Sequence, residues 1–452
     1  MTLSISPPAK ARKLAVIGSG ISGMGAAWAL GPSHDVTLFE TRDRPGGHSA
    51  TVDIDHGDRQ IAVDTGFIVY NNRNYPHLSR LFDHLDVETE ESCMSFSVSL
   101  DEGRFEWCGY NLRTIFAQKR NLLSPRFLLM LGDILRFNAR AKRDLETGAL
   151  CGLTFGDYMN WRGYSASLRD DYLVPMTAAI WSTPAARMLD FPAESLIRFL
   201  DNHRLMQISP PKWRTVSGGS RNYVSRLLKE FRGNTRFGTD VRRIERMEGK
   251  VIIEDALGTR ETFDGVVMAT HSDQALTLLR DPSSAERNVL SAIPYRKNEV
   301  WLHRDPTLMP RRRDAWAAWN YLSGRDADGE RSVAVTYWMN RLQNIDERYP
   351  VFITLNPPRP PREDLTFGLY DYAHPQFDAT ALAAQQRLPL IQGENNTWYC
   401  GAWTRYGFHE DGLASGLQVA DMIGTTAPWD GEVADIMRAP VQNVPPALQA
   451  AE

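Results

Sequence analysis

Gly18-Ser19-Gly20-Ile21-Ser22-Gly23 constrains this chain more than any other stretch. It reads G-x-G-x-x-G and stands between an apolar run, Lys13–Ile17 (KLAVI), and a run of small apolar residues, Ile21–Leu30. An apolar run that ends in glycines suits a buried parallel strand, and the small residues suit a helix packed close to a sheet. Residues 34–40 (HDVTLFE) read as a second strand, which completes a β-α-β opening. The first glycine permits the tight turn. The second lets the backbone approach a pyrophosphate, and the third lets helix and strand pack closely. Glu40 ends the second strand, 22 positions after Gly18, where a carboxylate accepts hydrogen bonds from ribose hydroxyls. The fold class expected is α/β, with a Rossmann-like dinucleotide-binding sheet.

At 452 residues the chain is too long for one ordinary domain. A 42% hydrophobic and 23% charged composition excludes global disorder. The net charge of −4 gives no overall attraction to nucleic acid, which is not expected as a partner. No apolar run is long enough to cross a bilayer, and the N-terminus lacks the apolar core of a signal peptide. Cys93, Cys108, Cys151 and Cys400 are far apart with no CxxC pair, which argues against a disulfide scaffold or a zinc site and for a reducing compartment. No metal is expected.

Leu78, Leu81, Phe82 and Leu85 recur at helical spacing within 75–90. Residues 110–205 read as mostly helical, with breaks near Pro125, Gly152, Pro175 and Pro184. Residues 235–247, 250–254 and 261–269 read as a meander followed by a buried strand. Residues 299–303, 332–339, 351–355 and 397–401 are further strands, and 413–423 a last helix. The tail after Thr426, rich in Pro and Ala, is expected to be loose.

Glu40-Thr41-Arg42-Asp43-Arg44-Pro45-Gly46-Gly47 places two cations and a glycine pair beside the pyrophosphate turn. This resembles the E-x-R-x-R-x-G-G extension of the flavin amine oxidase superfamily, which includes monoamine oxidases, phytoene desaturases and protoporphyrinogen oxidases. The family usually has Arg next, where this chain has His48. Asp64-Thr65-Gly66 matches the family's D-x-G, after which the backbone, here Gly66, Phe67 and Ile68, lies along the flavin ring. Trp398 to Trp403 (WYCGAW) and Gly407 to Gly412 (GFHEDG) resemble the strand, turn and helix start that return to FAD. Val241 falls where the family gives a backbone contact to adenine.

The resemblance implies non-covalent FAD held by Gly18, Gly20, Ile21, Ser22, Gly23, Glu40, Thr41, Arg42, Gly46, Gly47, His48, Gly66, Phe67, Ile68, Val241, Gly401, Ala402, Phe408 and His409. It implies a FAD-binding domain of the amine-oxidase type assembled from 12–72, 212–290 and 392–426. A substrate domain, mostly helical with a mixed sheet, would comprise 73–211 and 291–391, and 427–452 would be the loose tail. Phe408 falls where monoamine oxidases carry one aromatic of the pair that flanks the substrate. His409 is the polar candidate nearest the ring, as acid, base or substrate contact, with a local backbone-bonding role as the alternative.

Amine oxidases of the superfamily carry a lysine linked through water to flavin N5, on the strand after an Ile-Pro-like turn. Here that stretch is IPYRKNEV at 293–300, and Lys297 falls too early. The resemblance therefore argues against amine oxidation. DTGFIVYN, FAQKRNLL, WRTVSGGSRNYV, ATHSDQAL and YGFHEDGL are similar to a bacterial group of FAD-binding oxidoreductases often encoded beside cyclopropane-fatty-acid-synthase-like methyltransferases. That similarity implies dehydrogenation or desaturation of a lipid acyl chain, such as a methylated or cyclopropane fatty acyl group, and a methyltransferase as candidate partner. A soluble amine or amino-acid oxidase, and a FAD-dependent non-redox isomerase or partner subunit, are the alternatives. No second G-x-G-x-x-G is present, so the expected electron acceptor is oxygen, a quinone or a carrier protein.

Residues 113–143 carry Arg113, Lys119, Arg120, Arg126, Arg136, Arg140, Lys142 and Arg143 against Asp133, interleaved with leucines and phenylalanines. Such a stretch suits either a core helix with a solvated basic edge or peripheral contact with an anionic membrane. On the second reading Arg136, Arg140 and Arg143 share one face, and the protein is cytoplasmic at the inner face of the membrane.

Overall fold

Lys13–Ile17 forms the centre of a five-stranded parallel sheet ordered Asn234–Arg236, Asp35–Phe39, Lys13–Ile17, Gly265–Met268, Thr397–Tyr399. The structure is a computed structural model that describes residues 11–181, 185–203, 205–206, 211–325 and 331–429. Strands from distant parts of the chain thus meet in one sheet. Both faces are covered, which explains the unbroken apolar runs. Leu14, Val16, Val36, Leu38 and Val267 join one core, shared with the helices Ile21–Leu30 and His409–Ile423. Ala15, Ile17, Phe39, Val266 and Met268 join another, shared with the antiparallel strands Val241–Met247, Lys250–Asp255 and Arg260–Phe263. A buried ion pair ties these elements together. Arg246 bonds Glu286 through both guanidinium arms, one at 3.0 Å, and Tyr399 donates to the same carboxylate. Both charged side chains are shut off from water, so each needs the other.

A seven-stranded mixed sheet follows the order Thr366–Pro375, Tyr295–His303, Phe352–Leu355, Arg331–Trp338, Trp319–Arg325, Phe96–Leu100, Phe105–Cys108. Against its far side pack the helices Pro125–Glu146, Phe155–Trp161 and Ala193–Asn202, through Phe127, Met130, Phe137, Phe155, Leu196 and Phe199. Pro125 starts its helix instead of breaking one, because a first-turn residue needs no N–H partner. Pro175 does not break the helical path either. A π-turn at Arg169–Leu173, closed by Val174 N–H onto the Arg169 carbonyl, loosens the ladder just before the proline. Pro184 lies outside the described residues.

Two expectations need correction. The basic stripe of 113–143 is divided between core and surface. Arg136 pairs with the buried Asp133 at 3.2 Å and lies 4.6 Å from the Tyr164 ring, so it belongs to the fold rather than to a free cationic face with Arg140 and Arg143. Arg126 likewise pairs with Asp171 at 2.7 Å. The tail begins packed. Ala427 and Trp429 are buried, and the Trp429 indole stacks on Trp28 at 5.5 Å, because an exposed indole there would leave Trp28 uncovered. Residues 430–452 lie outside the described residues.

Candidate active site

The fingerprint glycines divide the work as their steric surroundings dictate. A Cβ on Gly23 would stand 1.9 Å from the Gly18 carbonyl oxygen and 3.0 Å from Ala269 Cβ, so that position closes helix against strand. A Cβ on Gly20 would meet nothing within 4 Å. The open space lies where the helix Ile21–Leu30 begins, capped by no side chain. A helix start with free space and spare N–H donors is built for an anionic group. Gly18 holds φ at +102°, which makes the turn.

Glu40 lies beside the fingerprint turn and is held there by hydrogen bonds. One carboxylate oxygen accepts from Ser19 N–H (3.0 Å) and Ser19 Oγ (2.7 Å), the other from Arg42 N–H (3.0 Å). Thr239 N–H bonds the Glu40 carbonyl at 2.9 Å, bringing the start of the Val241 strand alongside Glu40, Thr41 and Arg42. The glycine pair folds over the fingerprint. Gly46 N–H donates to the Ser19 carbonyl (3.0 Å), and a Gly47 Cβ would stand 3.0 Å from Gly20 Cα. Arg44 does not share Arg42's exposure. Its guanidinium is spent on the carbonyls of Pro45, Gly47 and Ser49, so it ties down the loop.

His48 and Gly66 are fused by backbone contact. Phe67 N–H donates to the His48 carbonyl at 2.8 Å, and a Gly66 Cβ would stand 2.2 Å from that oxygen. The imidazole leans on Tyr372 at 5.0 Å and on His374 at 5.6 Å. Burial, with the repulsion of His374, His271 and His409, holds it far below the ordinary histidine range. Its Nε2 is shut off from solvent and has no hydrogen-bond partner among the described residues. Ile68 follows, its carbonyl accepting from Thr215 Oγ1 at 2.8 Å.

His409 opens the last helix and Phe408 caps it. The His409 ring stacks on Phe67, and its Nε2 shares a 2.7 Å hydrogen bond with the Tyr223 hydroxyl, which in turn bonds Ser49. Burial drives its pKa down to about 3, and a helix start further opposes a positive charge. Phe408 stacks on Phe199 at 5.3 Å and meets His203 at 5.1 Å, facing the helical region. Gly401 N–H donates to Ser415 Oγ (2.9 Å), and Ala402 starts the short turn that accepts Gly407 N–H (3.1 Å). Cys400 is fully buried, with burial raising its thiol to about 12, so it packs and does not attack.

Several neighbours carry no sequence signal that could have found them. Ser49 and Tyr223 meet His409 across 360 and 186 positions. His374 accepts from Asn298 at 2.8 Å, and burial lowers its pKa to about 4. Asp64 was legible as the first residue of D-x-G, but its role was not. It accepts from Ser220 N–H (2.9 Å), Ser220 Oγ (2.7 Å), Thr51 Oγ1 (2.6 Å) and Gln343 Nε2 (3.0 Å), clamping the segment before Gly66.

The family model for flavin containing amine oxidoreductases matches residues 21–300, more than half of the chain. The chain belongs to that family. The flavin amine oxidoreductase architecture recurs in solved structures. A CLA-producing fatty acid isomerase from P. acnes is 16% identical with a TM-score of 0.66, covering 93% of this chain and 99% of its own. Cyclohexylamine oxidase from Brevibacterium oxydans is 14% identical at TM-score 0.62, covering 91% and 99%. Putrescine oxidase bound to putrescine is 14% identical at 0.61, covering 91% and 98%. The chain is thus a FAD-dependent oxidoreductase, and the empty space before Gly20, the capless helix start, Glu40 and the orphaned His48 Nε2 fit that cofactor. Among the described residues no helix is long and apolar enough to cross a membrane.

Proposed function

We propose that this flavin amine oxidoreductase dehydrogenates a lipid acyl chain, such as a methylated or cyclopropane fatty acyl group. The observation that carries this reading is the pair Lys297 and Asn298. Lys297 is exposed, whereas Asn298 is buried and bonded to His374. The inner face of the strand Tyr295–His303 therefore offers a neutral amide beside His374, and the strand's one lysine lies on the outer face.

The surrounding wall suits an apolar, uncharged substrate. Phe67, Phe408, Phe199 and Tyr372 supply hydrocarbon and ring surface, and burial keeps His374 and His409 neutral. The buried carboxylates nearby are committed elsewhere: Asp64 to Ser220, and Glu410 to the N–H groups of His77 and Leu78. A substrate ammonium would find no free anion among them.

Bound FAD supplies the two-electron acceptor, taking a hydride from a C–H bond. The residues nominated from sequence, from Gly18 and Gly20 through Glu40, Arg42 and His48 to Gly401, would hold it. Making a C=C bond also removes a proton from the adjacent carbon. Burial holds both His48 and His409 too far below the ordinary histidine range to keep that proton, so it passes on to solvent. His409 then positions Phe67 and the helix start. Oxygen, a quinone or a carrier protein receives the electrons, and a methyltransferase that makes the modified chain would act upstream.

Isomerisation is the second reading, favoured by the structural likeness to the fatty acid isomerase across nearly the whole chain. Anaerobic titration separates the readings. Phospholipids bearing cyclopropane or methyl-branched chains should bleach the flavin and leave a lipid lighter by two hydrogens. A lipid of changed double-bond position and unchanged mass would establish isomerisation instead. Rapid bleaching by simple primary amines or amino acids would overturn the lipid reading altogether.

A further inference from the structure

A pocket lies at the end of the seven-stranded sheet away from Asn298 and His374. Open to solvent, it has a volume of about 570 Å³ and is lined by His56, Arg304, Arg313, Trp316, Trp338 and Phe352, with Glu347 and Leu365 at its side. The register gives its distance from the candidate active site. Asn298 pairs with Tyr372 at one end of two antiparallel strands, and His303 pairs with Thr366 at the other, next to Arg304. Five to six residues of extended chain span roughly 20 Å.

The lining offers ring faces rather than polar edges. Trp316 Nε1 donates to the Pro310 carbonyl (2.7 Å) and Trp338 Nε1 to Asn340 Oδ1 (3.1 Å), so neither indole N–H needs a ligand. Trp316 stands edge-on to Trp338 and to Phe352, at 5.4 and 5.6 Å. Arg313 is fixed. Its guanidinium lies 3.9 Å from the Trp316 ring and 4.4 Å from Trp338, and it pairs with Glu347 at 3.2 Å. Arg341 holds the same Glu347 at 3.1 Å, which neutralises that carboxylate.

Arg304 is different. Its backbone N–H bonds the Leu365 carbonyl, but its side-chain Nε is shut off from solvent and has no acceptor among the described residues. No carboxylate among the described residues pairs with its guanidinium, which lies 5.8 Å from the centre of the Phe367 ring. A buried guanidinium N–H without an acceptor is costly, and a planar carboxylate is the group whose geometry satisfies it. Volume, flat apolar walls and one cation with no carboxylate among the described residues together define a ligand class.

We propose that this cavity binds an amphipathic monoanion, a carboxylate carried on a flat apolar body, with the acid group on Arg304 and the body against Trp316 and Phe352. The site does not depend on the substrate assigned above.

Calorimetric titration of the FAD-loaded protein with 2-naphthoate tests it, alongside the neutral 2-naphthylmethanol. Naphthoate should bind once per chain and leave the flavin spectrum unchanged. Arg304→Gln should weaken naphthoate about tenfold or more and leave naphthylmethanol unaffected, as expected for one charge-assisted hydrogen bond. Arg304→Lys keeps the charge without the fork and should fall between. Trp316→Leu, which keeps Arg304, should weaken both compounds. Undetectable naphthoate binding at millimolar concentration overturns the proposal. So does equal affinity in Arg304→Gln, or a naphthoate-induced shift of the flavin spectrum, which would place the probe at the cofactor instead.

Discussion

The imidazole of His409 lies flat on the ring of Phe67, 3.9 Å between centroids and 11° between planes. The two residues are far apart in sequence, yet their contact joins the segment after Asp64-Thr65-Gly66 to the start of the last helix. Tyr223 reinforces the joint from the side, through its hydrogen bond to Nε2 and an edge contact with Phe67 at 6.3 Å. A protonated His409 would bring charge into an apolar wall. The fold therefore keeps this histidine neutral over the physiological range, which suits alignment of rings better than proton transfer.

Gly20→Ala and Gly23→Ala should separate cofactor binding from folding. The Gly20 backbone is extended, with φ −64° and ψ 173°, and its added Cβ meets no protein atom. That variant should fold with the thermal stability of the apoprotein yet bind FAD weakly, because the methyl occupies the approach to the helix start. Gly23→Ala puts a methyl into the Gly18 carbonyl and should cost several kcal/mol or prevent folding. Calorimetry of the apoproteins and flavin content after reconstitution read the two effects. Normal flavin content in Gly20→Ala would remove the pyrophosphate from that space.

The strand, turn and helix around these glycines were legible because the signal is local: an apolar run, a fixed glycine spacing and an acid at the end of the next strand. The strands Trp319–Arg325 and Thr366–Pro375 were not legible. Asn320 sits near the start of the first, fully buried, and is satisfied by groups that folding brings in: its amide donates to the carbonyls of Ala317 and Thr336, and its oxygen accepts from Ala317 N–H and Ser97 Oγ. The second alternates aromatics with glycine, aspartate and histidine, and gains its order from pairing with Tyr295–His303. The hairpin Thr51–Asp55 with Gln60–Asp64 did carry a signal, Val52 and Ile54 mirrored by Ile61 and Val63 about Gly57, which a search for period-two alternation would have found. Within the site, Glu40 and the glycines were readable from spacing. The meeting of His48 with His374, and of His409 with Ser49 and Tyr223, depends on topology alone.

Stability should peak near pH 6.5 and fall on acidification. Burial lowers His77, His203, His303 and His374 to about 4 and His409 to about 3. Between pH 6.5 and about 4 the unfolded chain binds protons that the native imidazoles refuse, so unfolding is favoured as pH drops. Each group lowered to about 4 contributes roughly 3 kcal/mol by the bottom of that window. Burial raises Glu410 to about 8 and Asp411 to about 6, which works the other way. Glu410 alone acts between pH 8 and 6.5, where stability should rise slightly as pH falls, and below 6.5 the histidines outnumber the acids. Denaturant titrations across the range measure the slope. His303→Gln should flatten the acid limb, since both His303 nitrogens, bonded to Thr354 Oγ1 and Asp305 N–H, are committed in the neutral form. A stability that stays level from pH 6.5 to 4 would contradict the buried neutral histidines.

Docking on an anionic membrane should use the front of the long helix and the loop before it. Leu112, Leu122, Leu123, Leu128 and Leu129 expose from 47% to 88% of their surface within one short stretch of chain. Lys119 and Arg120 stand among them and line a groove shared with Arg312. Leucines inserted into a headgroup layer gain about 1.5–3 kcal/mol each when fully buried, and each nearby cation adds about 1 kcal/mol at low salt. The footprint is therefore apolar first and basic second. Flotation with anionic vesicles at low salt should carry the protein upward. Serine at Leu122, Leu123, Leu128 and Leu129 together should abolish it at every salt concentration, whereas Lys119→Glu with Arg120→Glu should weaken it most at low salt, where charges are least screened. Arg140→Glu with Arg143→Glu should leave it intact, since those positions lie three turns or more along the helix. Loss of flotation in that last variant alone would move the contact to the basic end. No flotation of the unaltered protein would make the exposed leucines a surface for something other than lipid and leave the acyl substrate to rest on the inner wall around Asn298.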